Sequence, residues 1–374
     1  MGKERILLVT GKFPGVSLDI DGGSIMVSQL IEMFGRDYVL DILFTRTYNE
    51  KYKTIPNVNN VTFHPCKFRN DNKFVRRVLN TAWNKEIVAQ LIDKYDKVII
   101  IHVCKSFGLE ELQDSQLEKI VLFPMFLTSS YIKSGEYVPK EYIQLERNVL
   151  PKIKLIVTPT YIEKDDLVNN YGICANRITV VPRAVNKIIV NKARSHSMQN
   201  SILYIGSIKR QKNSEKAIEL VFRLKEIGLD VKLYMVGSVQ DKELFDRCKN
   251  MISVYNLQSN VFILGVMPQE ELVKLMGKMD INISVSSMET FGRGVIEGLA
   301  AGLPTIILNE LDCLKFLLPV ESGLICAGDM LEMTDIVHRL CIDSSFYRLQ
   351  SENTRCISGV FSLERQKQCL LELL

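Results

Sequence analysis

INISVSSMETFGRGVIEGLAAGLPTIIL, residues 281–308, reads as a strand, a loop, a helix and a second strand. INISVS (281–286) and TIIL (305–308) are short apolar runs rich in Ile, the composition of strands buried on both faces. GVIEGLAAG (294–302) between them suits a helix, and strand–helix–strand is the unit from which parallel sheets are built. Two carboxylates stand in this segment with seven residues between them. Glu289 falls in the loop at the carboxyl end of the first strand, and Glu297 falls inside the helix, about one turn from its start. Free N–H groups at such a turn suit an anion, above all a phosphate, and Gly292 and Gly294 let backbone come close. Carboxylates accept hydrogen bonds from hydroxyls, so two of them flanking an anion pocket fit a sugar nucleotide. Either glutamate alone would pass as a counterweight to the helix dipole.

The same alternation extends in both directions. RILLVT (5–10), YVLDILF (38–44), KVIIIHV (97–103), KIVLF (119–123) and KLIVT (154–158) read as strands. Helical patterns over 24–35, 84–95, 140–150 and 161–172 separate them. From Pro182 to Asn200 the chain is polar and basic without periodicity, and then strands at 201–206, 231–237 and 261–265 alternate with helices at 213–228, 241–256 and 268–279. An α/β chain of two doubly wound, Rossmann-like domains follows: 1–190, a linker at 191–200, and 201–355, with 356–374 as a C-terminal amphipathic helix. Ligands of such sheets bind beyond the carboxyl ends of the strands, so two domains facing each other are expected to use the cleft between them.

Composition narrows the class. Hydrophobic residues are 47% and charged residues 24% of the 374, an ordinary globular balance, and a net charge of +4 is too mild to indicate nucleic acid. The nine cysteines are scattered without a CxxC pair and read as buried thiols of a reducing compartment. The five-residue apolar run near the N-terminus is too short for a secretory leader, and no run approaches a membrane span, so a cytoplasmic location is expected.

The segment from Glu289 to Ile306, with its Phe-Gly step and its trailing small-x-Gly-x-Pro, resembles the E-x7-E motif of the retaining GT-B glycosyltransferases of family 4. That resemblance implies the GT-B fold and transfer of a hexosyl or N-acetylhexosaminyl group from a nucleotide-diphosphate sugar to a hydroxyl acceptor, with retention. It assigns the donor sugar to Glu289, the ribose to Glu297, and the diphosphate to the backbone of Thr290, Phe291 and Gly292. YIGSIKRQKN (204–213) is similar to the family's diphosphate-gripping loop: Lys212 fits its lysine, while Ser207 stands where the family often has Arg, with Lys209 or Arg210 as compensation. A lysine there would stabilise the leaving diphosphate. KFPGVSLDIDGGSIMVSQL (12–30) places Gly22 and Gly23 where the family's first domain approaches donor phosphate and acceptor, and YGICANRITVVPRAVN (171–186) is similar to the turn before its linker, with Ala184 for the usual Gly. In this fold the C-terminal helix often crosses back to the first domain. Neither domain shows a convincing enzyme nucleophile, so the family's front-face route is implied, with Glu289 and Lys212 as the catalytic pair and domain closure excluding water. The acceptor would be a glycan, a lipid-linked sugar or a protein, in cell-surface polysaccharide or glycoconjugate synthesis.

Other features compete for attention. Asp19 and Asp21 spell the D-x-D of metal-dependent transferases, but they precede a glycine pair in a first-strand loop, and no essential metal or other cofactor is expected. His102 ends a strand and is an acceptor-side candidate, against a reading as a structural histidine. Residues 67–85 gather basic side chains with Phe68, Phe74 and Trp83, which suits either an anionic membrane surface or an ordinary surface helix. Two other classes remain open: a non-catalytic GT-B subunit that binds glycans or a partner, which would be expected to lose a glutamate or the lysine, and a nucleotide-sugar epimerase, which would act without any acceptor.

Overall fold

All neighbouring strands run parallel, in two separate sheets. The structure is a computed structural model that describes residues 3–11, 22–47, 61–66, 88, 90–103, 109–125, 127–133, 135, 137–185, 189, 198–308, 311–314 and 316–374. Two units carry the sheets: Met1–Arg183 together with Gln366–Leu374, and Ala184–Arg365. Of the polar stretch expected to link them, residues 186–188 and 190–197 lie outside the described residues.

The first unit contains β1 (Arg5–Thr10), α1 (Gly22–Phe34), β2 (Val39–Thr47), β3 (Val61–Cys66) and β4 (Lys97–Ile101). It continues through α2 (Asp114–Leu117), β5 (Ile120–Phe123), α3 (Thr128–Lys133), α4 (Lys140–Val149), β6 (Leu155–Thr158), α5 (Tyr161–Tyr171) and β7 (Ile178–Val180). Its sheet has the order β3-β2-β1-β4-β5-β6-β7, so the winding reverses between β1 and β4. Leu7, Val9, Val98, Ile100, Ile120, Leu122 and Ile156 meet Val149, Leu150 and Leu167 in its core. Thr160 caps α5 by accepting from the Glu163 amide (3.2 Å). Gly172, left-handed at φ 66°, ends it, and the Ile173 amide reaches back to the Leu167 carbonyl (3.2 Å).

The second unit runs β8 (Ser201–Ile205), α6 (Ser214–Glu226), β9 (Lys232–Val236), α7 (Lys242–Val254), β10 (Val261–Gly265), α8 (Gln269–Met276), β11 (Ile281–Ser284), α9 (Arg293–Ala300) and β12 (Thr305–Leu308). Then follow β13 (Leu324–Ala327), α10 (Met330–Ile342), α11 (Ser344–Asn353), α12 (Ile357–Val360) and α13 (Leu363–Leu371). The sheet order is β10-β9-β8-β11-β12-β13, with its reversal between β8 and β11. Buried Asp280 locks those two strands at their amino ends. Its Oδ2 accepts from the Ser201 amide (2.9 Å), the Ser201 hydroxyl (2.7 Å) and the Gln199 amide (3.0 Å).

The doubly wound α/β reading holds in both units, and the strands read from Ile- and Val-rich runs are strands. Three differences have physical reasons. β4 stops at Ile101 and not at Val103, because His102 turns into the left-handed region (φ 84°). β13 escaped notice because LICA is short and half-exposed, so it lacks the fully apolar signature. Cys174 and Cys326 are exposed, which corrects the expectation of uniformly buried thiols. Helix α13 spans the division between the units. From Gln366 onward it belongs with the first, where Lys367 pairs with Asp37 (2.5 Å).

Candidate functional site

In an open parallel sheet the loops leaving two neighbouring strands on either side of the reversal diverge, and a crevice opens between them. In the second unit those strands are β8 and β11. Gly206 follows β8 and lies so near the next strand's exit that a Cβ on Gly237 would fall 2.1 Å from the Gly206 carbonyl oxygen. Gly237, at φ 155°, is therefore required for the two chain segments to pass. The loop then closes at Asn213, left-handed at φ 48°, which starts α6. Fully buried Tyr204 supports this loop from below. Its hydroxyl donates to the Lys212 carbonyl (3.0 Å) and lies 3.2 Å from the Ser214 hydroxyl.

Two further bonds stitch the β8 loop to the β11 loop. The Ser287 amide donates to the Gln211 carbonyl (2.9 Å), and the Asn213 side-chain amide donates to the Val285 carbonyl (3.0 Å). This brings Lys212 Nζ onto Glu289 Oε1, which also accepts from the Ser286 hydroxyl (3.0 Å). With side chains 16% and 14% exposed, the pair is shielded from bulk water yet reachable by a ligand.

Helix α9 supplies the second part. Gly292, left-handed at φ 73°, is its N-cap and offers no side chain to the first-turn amides. The Val295 and Ile296 amides turn back to the Gly292 carbonyl (3.0 and 3.1 Å), while those of Arg293 and Gly294 meet no acceptor among the described residues. The helix sits close to the sheet because its glycines permit it. A Cβ on Gly294 would meet the Ile205 carbonyl oxygen at 2.7 Å, and one on Gly298 would meet the Asn282 side-chain nitrogen at 2.2 Å. Asn282, on β11, donates to the Gly294 carbonyl (3.1 Å) and thereby holds the first turn of α9 above its own strand. Buried Glu297 is bound by Arg293 Nη2 (2.6 Å).

Among the residues singled out from sequence, Lys212 and Glu289 are in contact, and Thr290, Phe291 and Gly292 lead directly from Glu289 into α9. The Phe291 ring packs edge-on to Phe361 (6.1 Å between centroids), so only its backbone faces the turn region as a donor or acceptor. Ser207 follows Gly206 in the β8 loop, and Arg210 is exposed in the short helical turn Arg210–Lys212. Gly22 and Gly23 open α1, and His102 follows β4; these belong to the reversal point of the first unit, between β1 and β4. The left-handed backbone of His102 is held by a bond from its amide to the Phe123 carbonyl (2.8 Å). Asp19, Asp21 and the basic stretch 67–85 lie outside the described residues. Among the described residues no cluster of His, Cys, Asp or Glu is placed to hold a metal ion, and no helix is long and apolar enough to cross a membrane.

Sequence reasoning missed Tyr204, Asn213, Ser286 and Arg293. Only Arg293 carried a signal, its spacing of four from Glu297.

The first unit gathers a different set of acids on α4 and α5, beside α3. Glu146 accepts from the Thr128 amide (3.0 Å) and from the hydroxyls of Thr128 (2.5 Å) and Tyr171. Burial raises its carboxyl above the ordinary range, against the pull of those donors. Buried Glu163 has no hydrogen-bond partner on either carboxylate oxygen among the described residues, and desolvation pushes it up to about 7 despite the nearby Arg183 cation.

Residues 185–355 match the family model described as Glycosyl transferases group 1, which spans most of the second unit. Among curated proteins the chain is 21% identical over 243 residues to mannosylfructose-phosphate synthase of Agrobacterium fabrum, covering 60% of this chain and 51% of that protein. It is 25% identical over 237 residues to D-inositol 3-phosphate glycosyltransferase of Paenarthrobacter aurescens, covering 59% and 57%. The chain thus matches little more than half the length of these relatives. Among solved structures, sucrose-phosphate synthase of Thermosynechococcus elongatus superposes with a TM-score of 0.80 at 17% identity, over 99% of this chain and 98% of that one. HepE of Anabaena, solved with UDP and glucose, superposes at 0.75 with 13% identity over 99% and 98%. The fold is therefore that of the GT-B glycosyltransferases.

Proposed function

We propose that this chain is a retaining glycosyltransferase that moves a sugar from a nucleotide-diphosphate sugar to a hydroxyl acceptor. The observation that carries the reading is the Lys212–Glu289 pair beside the open amides of α9, at the winding reversal of the second sheet. Cation and amides suit the diphosphate, and the carboxylate suits the sugar hydroxyls. The family-model match over this unit and a GT-B neighbour solved with UDP and glucose support a nucleotide-sugar donor.

In this reading the bond from the anomeric carbon to the donor's phosphate oxygen breaks while the acceptor oxygen bonds to the same face of that carbon. The acceptor proton passes to the departing phosphate oxygen. Lys212 and the amides of Arg293 and Gly294 stabilise the charge that develops on the diphosphate, and Glu289 orients the sugar. Positive charge from the protein's own groups makes a metal ion unnecessary, so transfer should survive EDTA. The acceptor side falls to the first unit, with Gly22 and His102 as its candidates and Gly23 on the donor side, and the product class is a cell-surface polysaccharide or glycoconjugate.

A panel of UDP-, GDP- and ADP-sugars read by thermal shift tests the donor, because a ligand bound only by the folded state raises the melting temperature. One of them should raise it by several degrees, and the same sugar nucleotide should support transfer with the anomeric configuration kept. A panel without any shift, or a product of inverted configuration, would sink the reading.

A further inference from the structure

Thr290, Phe291 and Gly292 form the turn between Glu289 and α9, and only Phe291 carries a large side chain. A turn that offers its backbone to a ligand has to be placed from its other side, by packing. Gly292 contributes no side chain, so that placement falls to the buried Phe291 ring, which meets Phe361 edge-on (6.1 Å between centroids). Phe361 is buried as well. It closes α12, its amide donating to the Ile357 carbonyl (3.0 Å), and α12 lies against α9. Phe361 also has a second attachment, because its carbonyl accepts from the Val185 amide (2.9 Å). The chain passes from the first unit to the second after Arg183 and returns after Arg365. Val185 is thus the second residue of the second unit, and Phe361 lies four residues before its last. One buried residue touches the turn through its ring and the incoming connection through its backbone.

We infer that Phe361 is a positioning residue for the donor site: its ring sets the Thr290–Gly292 turn and its carbonyl ties that turn to the connection at Val185, so a nucleoside diphosphate held by the turn also stiffens the connection. This rests on the proposed nucleotide-sugar donor and adds to it a residue that touches no ligand. A diphosphate bonded to the turn restrains Phe291, and a restrained Phe291 leaves Phe361 less freedom to part from Val185. Ligand binding that orders one packed group lowers the cost of ordering its neighbour, without any displacement being required. Substitution at Phe361 separates the two attachments, since every residue type keeps the carbonyl while only an aromatic one keeps the ring contact.

The test uses the full chain. Calorimetric titration with UDP, GDP and ADP picks out the diphosphate that binds, and hydrogen exchange at the Val185 amide is then followed with and without it at saturation. In the wild type the nucleotide should slow Val185 at least about 10-fold more than the Tyr255 amide, which closes α7 on the Met251 carbonyl (2.9 Å) and reports general stabilisation. Phe361→Leu should weaken the nucleotide about 3- to 10-fold and bring Val185 and Tyr255 to equal slowing, whereas Phe361→Tyr, which retains the ring, should keep the preference for Val185. A merely structural role would not produce that difference. Phe291→Leu should weaken binding as much as Phe361→Leu, and the double variant no further, because both remove the same contact. Full addition of the two losses, or a nucleotide that binds the wild type without favouring Val185, overturns the assignment and leaves the donor reading standing. A wild type that binds none of the three diphosphates overturns that reading and this assignment with it. If the leucine variants fail to fold, the wild-type exchange decides alone.

Discussion

The two units handle buried carboxylates in opposite ways. In the second, Glu289 and Glu297 each touch a cation, Lys212 and Arg293, and each stands where a loop or helix leaves the sheet's reversal point. In the first, Glu146 is wrapped in hydroxyls and an amide, and the Glu163 carboxyl has no hydrogen-bond partner among the described residues. A carboxylate beside a cation in a reachable crevice can exchange partners with a ligand, whereas one sealed among helices can only bind or release a proton. The contrast separates acids arranged for recognition from acids sealed into the packing of their own unit.

The widest test of that contrast is catalytic. Glu289→Gln should lower transfer by about 100- to 1,000-fold, the scale of losing one transition-state contact, with the melting temperature nearly unchanged. Glu163→Gln should leave the turnover number within about 3-fold, taking about 0.65 kcal/mol as the limit of an indirect effect. Equal losses in the two variants would erase the distinction.

Next in size is the packing beneath α9. Gly298→Ala puts a methyl 2.2 Å from the Asn282 side-chain nitrogen, and the overpacking should cost about 1–3 kcal/mol in urea unfolding while weakening nucleotide binding as the helix start shifts. An unchanged midpoint would mean that α9 is held less tightly to β11 than the glycines indicate.

The first unit's side of the contrast is a matter of pH. Burial raises the Glu163 carboxyl from 4.5 to about 7, with Asp166 and Glu146 adding to the rise and Arg183 opposing it. The folded state therefore holds a proton that the unfolded state has released between those values. The stabilisation is complete below about pH 4.5, declines as pH rises, and is gone above about 7. Glu163→Gln removes this slope, so its melting temperature relative to the wild type should climb by a few degrees from pH 5 to pH 8 and then level off. A flat difference across that range would show that Glu163 finds a partner in solution.

Smallest is Tyr204→Phe, which removes the hydroxyl bonded to the Lys212 carbonyl and costs about 1 kcal/mol in urea unfolding. A loss several times larger would mean that this one hydroxyl positions the whole β8 loop.

Much of this was open to reading from the chain. The runs RILLVT, SILYIG and INISVS declare buried parallel strands because parallel sheets covered on both faces tolerate little else. Helix starts are as legible where an Asp precedes them, as at Asp241, which caps α7. The candidate site was less so. Glu289 and Glu297 stood out as a pair flanking a glycine turn at a strand end, but their separate roles came only through a resemblance, and neither spacing nor composition joins Lys212 to Glu289, 77 residues later. That meeting depends on backbone carbonyls at Gln211 and Val285, which every residue type possesses and which therefore leave no trace in side-chain pattern. Tyr204 was hidden for a related reason: inside an apolar strand its ring reads as core, and its hydroxyl matters only once the loop is folded over it.

The division of α13 has a practical side. Its last residues, from Gln366, complete the first unit, with Leu370 buried and Lys367 paired to Asp37. A fragment meant to isolate the second unit should therefore stop at Arg365, since a tail carried further would present an apolar surface without its own complement. Conversely, the first unit expressed through Arg183 lacks a piece of itself, and a synthetic peptide of residues 366–374 should dock on it. The chain is in that sense already a two-piece complementation system, with the tag and its acceptor encoded at opposite ends.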